Sequence, residues 1–154
     1  MGSNIGLNLI ALNRIYKNLL ITAVEINKKT CFYLSKIKNV KIINDSVLKF
    51  EEARKFYLVL MSGILIHISP ENLPKLYDKI NKLSKKYILI CEYYNPHPVN
   101  ILYRGKKNQM FKRDFAGEFL KIYKNYKLID YRFAYHLDKY PLDDITFFLL
   151  KKFK

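Results

Sequence analysis

The chain has no tryptophan and only two cysteines, five glycines and five prolines among 154 residues. Cys31 and Cys91 lie far apart and have no nearby cysteine or histidine, which excludes a disulfide framework and a zinc site, so we predict no metal. Every apolar run is shorter than the ~20 residues that cross a bilayer, so no membrane span is predicted. No signal-peptide pattern opens the chain, and we expect a cytoplasmic protein.

Acidic residues are also scarce, with 13 against 28 basic residues and a net charge of +15. This imbalance suggests an anionic partner such as a nucleic acid. However, 23 of the basic residues are lysines, and they are scattered over predicted helix faces and strand flanks without forming an arginine-rich stripe. We therefore expect a solvated basic surface, and we keep a nucleic-acid partner as an alternative.

Short apolar runs alternate with segments of helical periodicity, which predicts an open, Rossmann-like α/β sheet in a single domain, residues 1–154. The predicted strands are 19–24, 40–45, 57–61 and 87–91, and the predicted helices are 7–17, 28–36, 70–85 with Ser69 as its N-cap, and 114–123. Two further strands, 128–135 and 145–150, are expected to close the sheet in antiparallel fashion. The polar, proline-interrupted segment 93–112 is predicted to be a long loop, and such loops usually carry function.

A glycine-bracketed turn opens the chain and leads directly into the first predicted helix. Gly2 and Gly6 allow positive φ and close approach of a ligand, and the first N–H groups of the helix would point at that ligand. Ligands of open α/β sheets bind at the carboxyl ends of the strands. The turn therefore indicates a nucleotide-binding loop.

Acidic residues end the first two predicted strands. Glu25 comes about twenty residues after Gly6, where a carboxylate can accept hydrogen bonds from ribose hydroxyls. Asp45 could receive the exocyclic amine of adenine, with the backbone of Ser46 and Val47 close to the ring. Either carboxylate alone would be interpreted as a solvated strand end or a helix cap, but both together after a glycine turn favour a nucleoside site.

Two common nucleotide motifs are absent from the sequence. The turn has only Gly2 and Gly6, where a dinucleotide oxidoreductase would show three glycines in G-x-G-x-x-G. The phosphate-binding pattern G-x-x-x-x-G-K-S/T does not occur either. The turn therefore fits neither the dinucleotide pattern nor the phosphate-binding pattern.

Several uncommon strings give the chain a family resemblance that covers nearly its whole length. They are Gly2-Ser3-Asn4-Ile5-Gly6-Leu7-Asn8-Leu9, Val24-Glu25-Ile26-Asn27, Gly63-Ile64-Leu65-Ile66-His67-Ile68, Tyr93-Tyr94-Asn95-Pro96, Tyr103-Arg104-Gly105, Phe111-Lys112-Arg113-Asp114-Phe115-Ala116-Gly117-Glu118 and Asp143-Asp144-Ile145-Thr146. Through them the chain resembles class I S-adenosylmethionine-dependent methyltransferases, and within that group the pseudaminic acid biosynthesis-associated methylases. The resemblance implies S-adenosylmethionine (SAM) as cofactor and a sugar, or a nucleotide-sugar, of surface polysaccharide biosynthesis as substrate.

The resemblance also implies roles for individual residues. The turn that contains Gly2, Asn4 and Gly6 would border the methionine part of SAM, Glu25 its ribose, and Asp45 with Ser46 its adenine. The segment from Ser62 to His67 would face the transferring methyl group. His67 is the candidate catalytic base, and the alternative is a residue that only packs where the strand meets the next helix.

Polar residues in and beside the predicted long loop are the candidates for substrate binding: Tyr93, Asn95, Tyr103, Arg104 and Arg113, with Lys112 between them. Guanidinium groups bind carboxylate and phosphate in bidentate fashion, so Arg104 and Arg113 suit a carboxylated or phosphorylated sugar. The alternative for the tyrosines is packing in the core or at its rim.

The sequence departs from the family pattern in two places. The first strand of the family, which has an acidic residue just before the glycine turn, has no counterpart, so we expect an N-terminally truncated sheet that lacks its central strand. In addition, Tyr57 follows Phe56 where the fourth strand of such enzymes often begins Phe-Asp. An inactive relative that acts as an interaction module or homodimer through its exposed sheet edge is therefore an alternative.

A nucleic-acid methyltransferase is the remaining alternative, and it is suggested by the charge. Such enzymes that methylate bases usually carry an Asn/Asp-Pro-Pro-aromatic string after the fourth strand. Here Met61-Ser62-Gly63-Ile64 stands at that place, which argues against base methylation of the usual kind.

Overall fold

The computed structural model describes residues 1–139 and 143–153. The chain forms two compact units, Met1–Glu51 and Glu52–Lys154. Each unit has its own strands and its own buried residues, and each is described by itself below.

The first unit contains two helices and two parallel strands. Their order is α1 (Leu7–Ile15), β1 (Ile21–Val24), α2 (Lys28–Leu34) and β2 (Val40–Ile43). Strands β1 and β2 pair in parallel, with Ile21 opposite Val40. Leu9, Ala23 and Leu34 form a small buried cluster of this unit, against which Ile37 is packed. The apolar run that predicted a strand at 19–24 therefore places its last residues in the core.

Local signals explain where both helices of this unit begin. Gly6 precedes α1 with φ 87°, a left-handed conformation that glycine adopts without strain. Asn27 caps α2, because its side-chain oxygen accepts a hydrogen bond from the N–H of Lys29 at 2.9 Å.

The second unit contains a four-stranded mixed sheet and a separate hairpin. Its elements are β3 (Phe56–Ser62), two 3₁₀ turns (Leu65–His67 and Pro70–Asn72), α3 (Leu73–Leu83), β4 (Ser84–Glu92), β5 (Val99–Tyr103), β6 (Lys106–Lys112), α4 (Phe115–Ile122), β7 (Tyr126–Ala134) and β8 (Ile145–Lys152). The sheet order is β3-β4-β8-β7, and β5 pairs with β6 alone. Strands β3 and β4 are parallel, whereas β8 is antiparallel to both of its neighbours. The predicted antiparallel closing strands are thereby confirmed.

The core of the second unit lies between this sheet and its helices. Phe115 and Phe119 of α4 and Leu76 and Ile80 of α3 are almost fully buried. Asp114 caps α4 by accepting a hydrogen bond from the N–H of Gly117 at 2.8 Å. The helix predicted to begin at Pro70 after Ser69 starts instead with the 3₁₀ turn Pro70–Asn72, and the α-helix itself begins at Leu73.

The prediction of an irregular loop over 93–112 was wrong, because most of this segment forms the β5–β6 hairpin. Arg104 and Gly105 make its two-residue turn with φ of 50° and 75°. Positive φ at both central residues is the conformation whose twist suits a tight hairpin. The usual signal is Asn-Gly or Asp-Gly, and Arg-Gly hid the turn in the sequence.

Among the described residues, no helix is both long enough and apolar enough to cross a membrane.

Candidate functional site

The glycine turn of the first unit lies over the carboxyl end of β1. The N–H groups of Gly2 and Ser3 both donate to the carbonyl oxygen of Val24, at 2.9 and 3.1 Å. Gly2, Asn4 and Gly6 have φ values of 65°, 47° and 87°, so the backbone reverses within six residues. The turn thus stands where an open α/β sheet binds its ligand.

Glu25 connects this turn to the start of α2. Its Oε2 accepts a hydrogen bond from the N–H of Asn4 at 2.8 Å, and its Oε1 accepts one from the N–H of Asn27 at 2.9 Å. The residue is 8% exposed. A carboxylate has about four acceptor positions, so each oxygen keeps one for a further donor. Glu25 therefore both orders the turn and presents acceptors at the end of β1.

Asp45 and Ser46 follow the end of β2 in the same unit. The Oδ1 of Asp45 accepts a hydrogen bond from the N–H of Ser46 at 2.7 Å. The side chain of Asn44, which sequence reasoning missed, donates to the carbonyl oxygens of Glu25 and Ile26 at 2.9 and 3.1 Å. Asn44 therefore ties the ends of β1 and β2 together and brings the two predicted nucleoside carboxylates to one edge.

In the second unit, His67 lies at the end of the first 3₁₀ turn after β3 and Ser62. Its Nδ1 is 2.9 Å from the carbonyl oxygen of Gln109 on β6, and its ring centroid is 5.5 Å from that of Tyr103. A carbonyl only accepts, so the proton of the neutral imidazole is assigned to Nδ1 and the lone pair to Nε2. The side chain is exposed, which leaves Nε2 accessible as a proton acceptor.

Glu92, at the end of β4, was not predicted from the sequence. Its Oε1 accepts hydrogen bonds from the N–H groups of Ile64 and Leu65, both at 2.9 Å. Its Oε2 is buried without a partner among the residues the structure describes. Burial raises the pKa of this carboxyl to about 7, although the backbone donors act in the opposite direction. Glu92 therefore holds the turn that presents His67.

Tyr93 extends the same strand end toward β8. Its hydroxyl donates to the Oδ2 of Asp143, and the ammonium of Lys112 lies 4.8 Å from its ring centroid. Burial, followed by the hydrogen bond to Asp143, raises the pKa of Tyr93 to about 12. The hydroxyl therefore stays protonated near neutral pH and serves as a donor.

The remaining predicted substrate residues occupy different parts of the hairpin region. Arg104 is at the hairpin tip, with its guanidinium carbon 5.2 Å from the ring centroid of Tyr103. Asn95 accepts a hydrogen bond from the N–H of His97 at 3.2 Å. Arg113 pairs with Glu118, with its Nε 2.6 Å from Oε1. The structure thus brings His67 and Tyr103 into contact, while Arg104 and Arg113 lie at opposite ends of β6.

Within residues 1–139 and 143–153, no cluster of three or more histidine, cysteine, aspartate or glutamate side chains could hold a metal ion. Cys31 and Cys91 are free thiols that belong to different units.

The sequence matches no protein-family model and no curated protein. Solved structures of SAM-dependent methyltransferases, however, share its fold. The chain is similar to 1,6-didemethyltoxoflavin-N1-methyltransferase of Burkholderia thailandensis, solved with its substrate and S-adenosylhomocysteine (SAH), at a TM-score of 0.73, 15% identity and coverage of 99% of this chain and 69% of that one. The chain is also similar to the glycopeptide N-methyltransferase MtfA, solved with SAH, at a TM-score of 0.72 and 10% identity. This match covers 98% of this chain and 80% of that one.

A SAM-dependent methyltransferase from Leishmania major gives a TM-score of 0.72 at 15% identity. This match covers 97% of this chain and 62% of that one. At such identities the likeness establishes the fold. The predicted α/β fold is therefore confirmed, and the chain shares it with these methyltransferases.

Proposed function

We propose that this chain is a SAM-dependent methyltransferase whose acceptor is a sugar such as pseudaminic acid, or a nucleotide-sugar, in surface polysaccharide biosynthesis. The observation that carries the proposal is Glu25, which is held at the carboxyl end of β1 by the N–H groups of Asn4 and Asn27. It occurs in a fold shared with methyltransferases solved with SAH. The sugar and the pathway rest on the family strings of the sequence.

The residues of the first unit fit SAM. Glu25 retains an acceptor position on each carboxylate oxygen for the two ribose hydroxyls. Asp45 has its Oδ1 fixed by Ser46 and its Oδ2 available to an adenine amine. The turn from Gly2 to Gly6 has the backbone conformation that permits close approach of the methionine part.

The residues of the second unit would act on the acceptor. SAM supplies a methyl group whose bond to sulfur breaks, with the electron pair passing to sulfur, as a bond to the acceptor oxygen or nitrogen forms. His67 would take the acceptor proton at Nε2, because its Nδ1 proton is held by Gln109. Tyr103 would orient the acceptor as a hydrogen-bond donor, whereas the hydroxyl oxygen of Tyr93, whose proton is donated to Asp143, would accept a hydrogen bond from it.

Calorimetric titration of the purified chain with SAM and with SAH tests the cofactor. We expect saturable binding of both, and a loss of about tenfold in affinity for Asp45→Ala, because one charge-assisted hydrogen bond is removed. Asp130→Ala is the matched control, since Asp130 is an exposed carboxylate on β7 in the other unit. No binding by folded wild-type chain, or equal losses in both variants, would contradict the cofactor assignment.

Mass spectrometry of acceptor mixtures then tests the reaction. Incubation with SAM and pseudaminic acid, or its nucleotide-activated form, should add one methyl group, and His67→Ala should slow the addition by about 10²-fold or more, the typical contribution of a general base. His97→Ala is the matched control, because His97 is an exposed histidine beyond β4. Equal rates for both variants would remove His67 from the catalytic role.

A nucleic acid is a second candidate acceptor, and the net charge of +15 favours it. It predicts binding to DNA or RNA that weakens steeply with added salt as counterions compete for the phosphates. Transfer of a methyl group to nucleic acid and not to the sugar would select this alternative.

A further inference from the structure

A cleft of about 540 Å³ lies in the second unit beside the β5–β6 hairpin. Polar and cationic side chains line it: Ser69, Asn100, Asn108, Lys112 and Arg113. Glu71 also lines it as an exposed carboxylate, and the hydroxyl of Ser69 lowers its pKa. Lys112 and Arg113 are thus the cations of this cleft and Glu71 its acid, and the kind of occupant depends on how the guanidinium of Arg113 is presented.

Arg113 is held rigidly at this cleft by two further side chains. Its Nε donates to Oε1 of Glu118 at 2.6 Å, and the hydroxyl of Tyr77 donates to Oε2 of the same carboxylate at 2.9 Å. Tyr77 is buried in α3, and burial raises the pKa of its hydroxyl, which stays a donor. The guanidinium is thus oriented before any ligand arrives.

Within the part of the chain that the structure describes, the guanidinium of Arg113 bonds to the protein through its Nε, and its Nη groups make no hydrogen bond and are not buried. A guanidinium whose Nη fork is open matches the two oxygens of a carboxylate in bidentate geometry.

The cleft adjoins the turn that carries the candidate base. Ser69 follows His67 by two residues, and Asn108 directly precedes Gln109, whose carbonyl oxygen holds the Nδ1 of His67. An acceptor anchored by its anionic group in the cleft would therefore extend along the hairpin toward His67.

We propose that this cleft binds the carboxylate of a sugar-acid acceptor, with the Nη groups of Arg113 as the bidentate donors and Glu118 and Tyr77 as positioning residues. The inference rests on the proposed function for the name of the acceptor class, whereas the binding itself requires no cofactor. A phosphate presents the same oxyanion chemistry, so the test must separate the two.

The experiment is calorimetric titration of the full chain, without SAM, with three probes: N-acetylneuraminic acid, its methyl ester and glucose 1-phosphate. We expect the acid to bind roughly tenfold or more tightly than the ester, because the ester lacks the charge-assisted hydrogen bonds. Arg113→Lys should weaken binding of the acid by a similar factor and leave the ester unchanged, since lysine keeps the charge but loses the fork.

Two variants serve as controls. Arg132→Lys alters an exposed arginine on β7 and should bind all probes as wild type does. Asn100→Asp, on exposed β5, adds a negative charge to the cleft and should weaken the two anionic probes while leaving the ester unchanged, which keeps the test valid should Arg113→Lys unfold.

Several outcomes would overturn the proposal. Equal binding of acid and ester, no binding of either, or wild-type affinity in folded Arg113→Lys removes the carboxylate subsite. Preferential binding of glucose 1-phosphate with the same dependence on Arg113 assigns the cleft to phosphate instead. Failure of SAM to bind, with these results intact, would affect only the proposed methyltransferase activity.

Discussion

Replacing Glu92 by glutamine should stabilise the protein above neutral pH and have little effect in mild acid. In the folded chain the carboxyl of Glu92 is buried, and among the described residues its Oε1 alone has partners, the N–H groups of Ile64 and Leu65. Glutamine keeps that oxygen acceptor in place. It also keeps the neutral state that burial favours, so the substitution removes only the cost of ionising the side chain.

The sign and size follow from the pKa. Burial raises the pKa of Glu92 from 4.5 to about 7, so the folded chain binds the proton more tightly than the unfolded chain does. The protonated carboxyl makes its full contribution to the free energy of unfolding below pH 4.5, and this contribution is lost as the pH rises through about 7. A difference of about 2.5 pH units corresponds to about 3 kcal/mol, most of which develops between about pH 5 and pH 8.

Urea unfolding of wild type and Glu92→Gln, followed by circular dichroism at several pH values between about 5 and 8, measures this difference. We expect the stability of the variant relative to wild type to grow by roughly 2 to 3 kcal/mol over that range. Glu71→Gln is the control, because the pKa of Glu71 is lowered, not raised, and its substitution should produce no alkaline gain. A difference between Glu92→Gln and wild type that stays constant with pH would refute the reasoning.

Two further substitutions test the first unit. Gly6→Ala should lower the free energy of unfolding by about 1 to 3 kcal/mol. The reason is that φ is 87° and that a Cβ would lie 2.5 Å from Cδ1 of Ile37 and 2.7 Å from Cδ2 of Leu34. Thermal melting measures this loss of stability, and an unchanged melting temperature would contradict the conformation of Gly6. Asn27→Ala should cost about 1 kcal/mol through loss of the α2 cap, whereas Asn27→Ser should recover most of it. Urea midpoints measure both, and equal midpoints for alanine and serine would argue against the cap.

Local patterns in the sequence were sufficient for much of the fold. Continuous apolar runs identified β1, β3 and β4, since runs of this kind are typical of strands in α/β sheets. Gly6 and Glu25 marked the candidate cofactor turn because a glycine favours positive φ and an acidic residue after a strand supplies a carboxylate, and each can be recognised at a single position. Predictions of this kind need no knowledge of distant partners.

Features that depend on distant partners could not be predicted. Glu92 accepts hydrogen bonds from the N–H groups of Ile64 and Leu65, which are 28 and 27 residues earlier in the chain. The sequence around Glu92 has no local pattern that predicts these hydrogen bonds. Arg113 was selected as a substrate residue from its type alone, whereas its orientation depends on Glu118 and, through it, on Tyr77 of another helix. The hairpin escaped prediction because Arg104 occupies a position where Asn or Asp is the usual signal.

The geometry of Glu25 also determines which carboxylate gives the clearer test of cofactor binding. Because Glu25 accepts backbone hydrogen bonds from both Asn4 and Asn27, its substitution would disturb the glycine turn and the start of α2 together with any bound ribose. Within residues 1–139 and 143–153, the backbone donor to Asp45 is that of the next residue, Ser46, so we expect removal of the Asp45 side chain to leave the glycine turn intact. A loss of SAM affinity in Asp45→Ala would therefore report a contact to the ligand, whereas the same loss in a Glu25 variant would mix that contact with the folding of the loop.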